Sequence, residues 1–473
     1  MELEKIRHKL RCSEGKVTRQ KSCQKGDHLG TSGRPIILMH FPLYRSSDGA
    51  CSEPDAASPA EKQELFRENW ECLSREATAL LLDALNPRAV FTGHTHHGCL
   101  TVHHQSIPEW TLPSISWRNK RAPSFALVVI YYVVIGQCSW PHLQKSEKDR
   151  LSRKEEREPL KMMLLADTHL LGPKRGHWFD KLRREWQMHR TFQTSLALHR
   201  PEVVAFLGDI FDEGQWSNDD EFKAYMKRFW DLFYVPANVK VLVAVGNHDV
   251  GFHYRMHEYF VDRFEDSFNI SAVKLTIIKG NLFITVNSMA MYGDNCNFCA
   301  RAKMELEKIR HKLRCSEGKV TRQKSCQKGD HLGTSGRPII LMHFPLYRSS
   351  DGACSEPDAA SPAEKQELFR ENWECLSREA TALLLDALNP RAVFTGHTHH
   401  GCLTVHHQSI PEWTLPSISW RNKRAPSFAL AVLTPNDMAV SKCYIPRETT
   451  VIFLYIIATI VLIVFSLHGR QRF

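Results

Sequence analysis

The sequence contains no G-x-x-x-x-G-K-[ST] loop, no G-x-S-x-G elbow and no G-x-G-x-x-G turn. These absences remove the common backbone cradle for nucleotide phosphates, the serine-hydrolase nucleophile and the dinucleotide turn. It also lacks any long block of one charge. The formal net charge of +10 is spread over 473 residues, and no nucleic-acid-binding motif accompanies it, so no nucleic-acid partner is expected. Nothing after Met1 reads as a cleavable signal peptide. The 14 cysteines look plentiful, but ten of them belong to a segment that is present twice.

That segment is Met1–Leu127, which recurs residue for residue as Met304–Leu430, an offset of 303. Solenoid repeats keep a pattern while their residues vary. A perfect copy of 127 residues instead points to a recent tandem duplication, or to an error in assembling the gene or transcript. A length of 473 allows two or three domains.

Between the copies lie three apolar runs, each ending in polar residues. Met162–Ala166 runs into Asp167-Thr168-His169, Val203–Leu207 into Gly208-Asp209-Ile210-Phe211-Asp212, and Val241–Val245 into Gly246-Asn247-His248-Asp249. Runs of about five residues rich in Val and Leu read as strands buried on both faces. Open α/β sheets keep their chemistry just past the carboxyl ends of such strands. The second copy adds Ile339–Met342 before His343, and Ala392–Thr395 before Gly396-His397-Thr398-His399. A donor set of carboxylate, amide and imidazole without thiolate suits Mn, Zn or Fe.

The ordered series D-x-H, GD-x-x-D, GNH-[DE], H and GH-x-H resembles the calcineurin-like metallophosphoesterase family, and every element is present between Asp167 and His399. The resemblance implies a four-layer α-β-β-α sandwich with two divalent ions. One ion would sit among Asp167, His169, Asp209 and His399, and the other among Asp209, Asn247, His343 and His397. Asp209 would bridge them, because a shared carboxylate lowers the repulsion between two dications. His248 would neutralise the phosphoryl charge or protonate the leaving oxygen, Asp249 would orient its imidazole, and Asp212 would hold a ligand in place.

The first copy carries His40 and Gly93-His94-Thr95-His96, but no D-x-H, GD-x-x-D or GNHD precedes it. Residues 1–127 are thus an orphan duplicate of the C-terminal half of a catalytic domain expected over 159–446. Residues 128–303 are flanked by two identical partner halves. Pairing with 304–430 gives the family order, and pairing with 1–127 gives a circular permutant. The first pairing is favoured because Ala431–Thr434 and Met438–Ser441 complete a hairpin that has no counterpart after Leu127.

Other segments carry weaker signals. Glu61–Leu85 has helical spacing; Phe179–His199 and Asp219–Phe233 read as crossover helices, and Lys274–Ile278 with Leu282–Val286 as a hairpin. His400 is expected to point away from His399. His406 and His407 lie in a strand-like run that could line the pocket, and His253 and Tyr254 could reach substrate. Cys296-Asn297-Phe298-Cys299 lacks the second pair a zinc reading requires, so disulfides with Cys315, Cys326 or Cys354 are expected. Asn269-Ile270-Ser271 is a glycosylation sequon.

Residues 125–136 form a 12-residue apolar run, either a truncated membrane anchor or a buried or interfacial strand. A charged linker follows over 137–158. Thr449–Leu467 has 19 residues without charge, close to the about 20 that span a bilayer. It reads as a C-terminal transmembrane helix with a cytosolic tail, His468–Phe473, by the positive-inside rule.

Further stretches narrow the resemblance, among them Arg183-Arg184-Glu185-Trp186, Gly251-Phe252-His253-Tyr254, His343–Arg348 and Ser417-Ile418-Ser419-Trp420-Arg421-Asn422. They are similar to a branch of the family acting on glycosylphosphatidylinositol anchors. That similarity implies a manganese-dependent phosphodiesterase that removes ethanolamine phosphate from a mannose. It also implies a lumenal catalytic domain in membranes of the early secretory pathway, from endoplasmic reticulum exit sites to the cis-Golgi. Anchored proteins would be the substrates, and membrane lipid and cargo receptors would be partners. The alternatives are a phosphoprotein or small-molecule phosphatase of the same fold, or a non-catalytic scaffold.

Overall fold

The structure is a computed structural model. It describes residues 2–13, 34–51, 56–57, 60–95, 97–103, 107–112, 134–143, 158–174, 176–294, 296–318, 326–334, 336–421, 425–453, 456–457 and 460. The chain divides into two compact units, Met1–Ile130 and Tyr131–Phe473.

The first unit opens with a helix, Glu2–Ser13, and its described residues include the strands β1 (Ile36–Leu38), β2 (Ala89–Thr92), β3 (Cys99–His103) and β4 (Ile107–Thr111). They form one sheet in the order β1-β2-β4-β3. The helical spacing over Glu61–Leu85 resolves into a short 3-10 turn, Glu61–Gln63, and a helix, Arg75–Leu85. The helix starts late because the Ser74 side chain caps it, accepting from Ala77 N, and it ends at Asn86 in the left-handed region.

The second unit holds two mixed sheets. One has the order β15-β14-β5-β6-β7, from β5 (Leu160–Leu165), β6 (Val203–Leu207), β7 (Lys240–Ala244), β14 (Ser427–Leu433) and β15 (Met438–Tyr444). The other has the order β12-β13-β11-β10-β9-β8, from β8 (Val273–Ile278), β9 (Asn281–Val286), β10 (Ile339–Met342), β11 (Ala392–Thr395), β12 (Cys402–His406) and β13 (Ile410–Thr414). The pairs β5–β6, β6–β7, β9–β10 and β10–β11 are parallel, and β14 joins β5 antiparallel. The hairpin β8–β9 turns on Lys279 and Gly280, both at positive φ, as a two-residue turn of the favoured twist requires.

Alternation along the strands explains the layering. Met162, Leu164, Val203, Ala205 and Leu207 share one apolar cluster with Phe283, Ile339, Leu341 and Phe394, so the two sheets pack face to face. The intervening residues Met163, Leu165, Val204 and Phe206 turn the other way, into a cluster with Phe192 and Phe229 of the helices Trp178–His199 and Asp219–Leu232. On the second sheet Ile284, Ile340 and Val393 do the same with Leu306 and Leu384 of the helices Asn297–Ser316 and Arg378–Leu388. The order is helix, sheet, sheet, helix.

One expectation is revised here. The charged linker does not begin at residue 137, because Cys138 is disulfide-bonded to Cys443 on β15 and Trp140 Nε1 donates to the His199 carbonyl at 3.0 Å. Residues 144–157, most of the apolar run 125–136 and much of Thr449–Leu467 lie outside the described residues. The C-terminal backbone is helical over 448–453, and among the described residues no helix is long and apolar enough to cross a membrane.

Candidate metal centre

The parallel strands β5, β6, β10 and β11 end on one side of the sandwich, and their following residues converge. The backbone turns sharply there: φ is 55° at Asp167, 44° at His169, 48° at Asp209, 73° at His397 and 61° at His399. Left-handed conformations at non-glycine residues cost on the order of 1–3 kcal/mol each and cluster where function requires them. The accompanying glycines answer to close approach. A Cβ on Gly246 would lie 2.1 Å from Asp209 N, and one on Gly396 2.6 Å from Asp167 Oδ2.

In His343, His397 and His169 one ring nitrogen is held and the other is turned inward. His343 Nδ1 donates to the Leu207 carbonyl at 2.8 Å, which leaves Nε2 facing Asp209 Oδ2 at 3.2 Å and Asn247 Oδ1 at 3.1 Å. His397 Nε2 donates to the Trp373 carbonyl at 2.7 Å, leaving Nδ1 3.2 Å from His343 Nε2. His169 Nδ1 donates to Asp212 Oδ1 at 3.1 Å. Its Nε2 lies 3.5 Å from Asp209 Oδ2 and 3.8 Å from Asp167 Oδ1. Asp167 Oδ1 and His169 Nε2 are buried without any hydrogen-bond partner. Metal-ligating histidines are fixed by carboxylates and carbonyls in this way, and buried polar atoms without partners call for an ion.

The donors fall into two groups, Asp167 with His169 and His399, and Asp209 with His343 and His397. Asn247 Oδ1 adjoins the second through His343. Hard oxygens and imidazoles in two adjacent groups fit two divalent cations. Without them, burial pushes the Asp167 carboxyl up to about 7, and the negative charge of Asp209 adds to this. Asp209 resists its own burial, because His343 and His248 hold it well below the usual carboxylate range. His343 is likewise opposed by burial but is raised to about 9 by Asp209. Burial lowers His397 to about 3 and holds His169 and His399 well below their ordinary value, keeping their lone pairs available.

His248 is partly exposed, with a side chain 28% accessible beside 23% for His399. The residue that orients it is not the expected one. His248 Nδ1 donates to the Asp212 carbonyl at 3.0 Å. Asp249 instead accepts from Phe211 N and Gly246 N, each at 2.9 Å. The reason is local: Asp249 is the third residue of the short helix Asn247–Val250, and its carboxylate reaches back to the helix's own N-terminal amide. Burial and the nearby Asp209 charge raise the Asp249 carboxyl to about 7.

Arg421 was missed as a site residue. Its guanidinium bonds Asp212 Oδ1 and lies 3.3 Å from His169 Nδ1. Ser417 Oγ donates to the Asp167 carbonyl, and Ser288 Oγ accepts from His343 N at 3.1 Å. None of these belongs to the strand-end signatures; the Ser417–Asn422 stretch was the one available signal. His406 is tied to buried Glu412 at 2.8 Å rather than to the pocket. His400 lines a cleft of about 250 Å³ together with His397 and lies 3.8 Å from Glu364, whereas His399 Nδ1 faces Asp167 Oδ1 at 3.6 Å.

In the first unit the copied half forms the same pairings, Ile36↔Ala89 matching Ile339↔Ala392. His94 Nδ1 lies 3.2 Å from His40 Nε2, and its Nε2 bonds the Trp70 carbonyl at 2.8 Å. His40 is exposed, whereas His343 is fully buried, and His96 lies outside the described residues.

A calcineurin-like phosphoesterase family model matches residues 160–401, which contain every donor of the second unit's centre. The chain belongs to that family. This phosphoesterase is 48% identical over 345 residues to Metallophosphoesterase 1 of Macaca fascicularis, covering 72% of this chain and 85% of that one. It is 46% identical over 350 residues to Metallophosphoesterase 1 of Gallus gallus, covering 73% and 87% respectively. The protein is a metal-dependent phosphoric ester hydrolase. The layered α/β fold expected for the family is the one observed.

Proposed function

We propose that this phosphoesterase is a membrane-bound phosphodiesterase that removes ethanolamine phosphate from a mannose of glycosylphosphatidylinositol anchors and so promotes export of anchored proteins from the endoplasmic reticulum. The observation that carries the diesterase chemistry is the pair of adjacent donor groups with unpartnered Asp167 Oδ1 and His169 Nε2. Asp167, His169, Asp209 and His399 would hold one ion, and Asp209, Asn247, His343 and His397 the other, both probed first as Mn²⁺. Two such ions supply a hydroxide near neutral pH and stabilise phosphoryl charge. His248, with Nδ1 anchored on Asp212, presents Nε2 to the leaving oxygen and delivers its proton there. Asp249 acts indirectly, pinning the amides of Phe211 and Gly246 that shape the two strand ends. Asp212 fixes the tautomer of His169, and Arg421 holds the Asp212 carboxylate in place.

Several features support the narrower substrate. The cleft at His397 is lined by Glu364, Glu367 and Glu374, and although Arg370 pairs with Glu374, this wall suits a phosphate ester bearing an ammonium group. Among the described residues, disulfides join Cys51 to Cys99, Cys138 to Cys443, Cys296 to Cys299, Cys315 to Cys326 and Cys354 to Cys402, in accord with an oxidising lumen. Asn269 is an exposed helix C-cap, accessible to a glycosyl transfer. The C-terminal helical run exposes Ile452, Phe453, Ile456, Ile457 and Ile460, which a spanning helix over Thr449–Leu467 would bury in lipid. Membrane lipid and cargo receptors of the early secretory pathway are the partners this reading implies.

The test is hydrolysis of isolated anchor glycans by the purified full chain with and without Mn²⁺. Release of ethanolamine phosphate that stops on chelation supports the proposal. Hydrolysis of simple phosphate esters, with anchor glycans untouched, would favour a small-molecule phosphatase of the same fold.

A further inference from the structure

A second convergence of metal-binding side chains lies outside the centre just described. His253 comes from the 3-10 turn His253–Arg255, Asp294 from the loop after Ser288–Met291, and Cys296 and Cys299 from the start of the helix Asn297–Ser316. One donor atom from each lies within 4.8 Å of all the others. Cys296 and Cys299 have no second cysteine pair at zinc-site spacing in the sequence; the fold supplies a histidine and a carboxylate in its place.

The contacts hold the donors ready. His253 Nδ1 donates to the Met289 carbonyl at 3.0 Å, and the Tyr292 ring stacks on the imidazole at 4.0 Å. That leaves Nε2 facing Asp294 Oδ2 at 2.8 Å. Cys299 Sγ lies 3.0 Å from Asp294 Oδ1, and Cys296 Sγ accepts from Cys299 N at 3.0 Å. Cys299 is buried and Cys296 half-buried, so the sulfurs face the imidazole and carboxylate rather than open solvent. In the structure Cys296 and Cys299 are joined as a disulfide.

We propose that Cys296, Cys299, His253 and Asp294 form a third metal site, selective for zinc, that opens when the Cys296–Cys299 disulfide is reduced. Two sulfurs, one imidazole and one carboxylate are a tetrahedral zinc set, whereas the dinuclear centre has no sulfur donor. A thiol reductant opens it: two reductant thiols become their disulfide, and the protein disulfide becomes two cysteine thiols. Zinc binding then releases the two thiol protons. Reoxidation reverses both steps and expels the ion. His253 follows Asn247–Val250 by only three residues, so occupancy braces the turn that carries Asn247 and His248.

The experiment uses the purified full chain, stripped of metal and divided into oxidised and phosphine-reduced portions under nitrogen. Each is loaded with zinc, desalted and assayed for metal. The reduced portion should hold one more zinc per chain than the oxidised one. That increment should vanish in the C296S/C299S double variant and persist in Asp209→Asn. Cobalt in place of zinc should give a thiolate charge-transfer band in reduced wild type only. His253→Ala, which keeps both thiols, should weaken this zinc at least about tenfold and stands in if the double variant misfolds. No increment on reduction, or an increment that survives both C296S/C299S and His253→Ala, overturns the proposal.

Discussion

The exact repeat supplies an internal control: His343→Ala and His40→Ala change the same residue in the same local sequence. His343 is fully buried, its Nδ1 held by the Leu207 carbonyl and its Nε2 facing Asp209 and Asn247. Truncating it leaves a buried carboxylate without its opposite charge, which costs on the order of 3–5 kcal/mol, and an unpaired carbonyl, which costs about 1–3 kcal/mol. These overlap, so a net loss of roughly 3–5 kcal/mol is expected, and activity should fall at least about 100-fold, since even outer partners of a ligand are worth about 10–100-fold. His40 is exposed and touches chiefly His94 and Phe41, so His40→Ala should stay within about 0.5 kcal/mol of wild type with full activity. Hydrolysis of bis-para-nitrophenyl phosphate with Mn²⁺, bound metal by mass spectrometry and thermal unfolding would be measured on both. An inactive His40→Ala beside an active His343→Ala would show that residues 1–127 supply the ligands, and the pairing described here would be wrong.

Asp209→Asn should lose both ions and most activity, because Asp209 faces His169 and His343 at once; full metal content with full activity would refute its bridging role. Gly246→Ala places a methyl 2.1 Å from Asp209 N and should cost at least about 1–3 kcal/mol along with activity, whereas a variant as stable and active as wild type would show that the strand end yields. His199 is buried between Trp140 and Phe428 and lowered to about 4 by burial. Its unfolded form takes up a proton below about 6.5 while the native form does not, so stability should fall by about 1.4 kcal/mol per unit as pH drops from about 6.5 to about 4; urea melts of His199→Gln that parallel wild type across that window would count against this. In sealed microsomes a tag after Phe473 should be cut by added protease while the Asn269 side is shielded, and the reverse pattern would invert the orientation.

Much of the fold was legible because the local signals agreed. Apolar runs of about five residues became the strands β5, β6 and β7, and the polar residues after them became site residues, since a strand buried on both faces leaves only its end free for chemistry. Other features were not legible. Helical spacing over Glu61–Leu85 did not reveal that Ser74 caps a later start. Nothing local separated Asp212 from Asp249 as the partner of His248; a short helix that uses its own third residue as a cap decided it.

The sequence by itself determined the strands, the order of the donors and, through the signatures at their ends, the family. The duplicated segment shows where that power stops. Identical residues build the same strand pairing in both copies, yet Leu38 is 70% exposed and Leu341 1%. The imidazoles of His40 and His94 approach each other just as those of His343 and His397 do. In the second copy Asp209 and Asn247 stand against them, because β10 lies beside β9 and packs across from the sheet that carries β6 and β7. Local sequence sets backbone geometry, whereas a metal centre needs carboxylates and imidazoles brought together from distant strands, and only tertiary packing fixes which strands meet. The same packing brought His253 and Asp294 to Cys296 and Cys299, and Arg421 to Asp212.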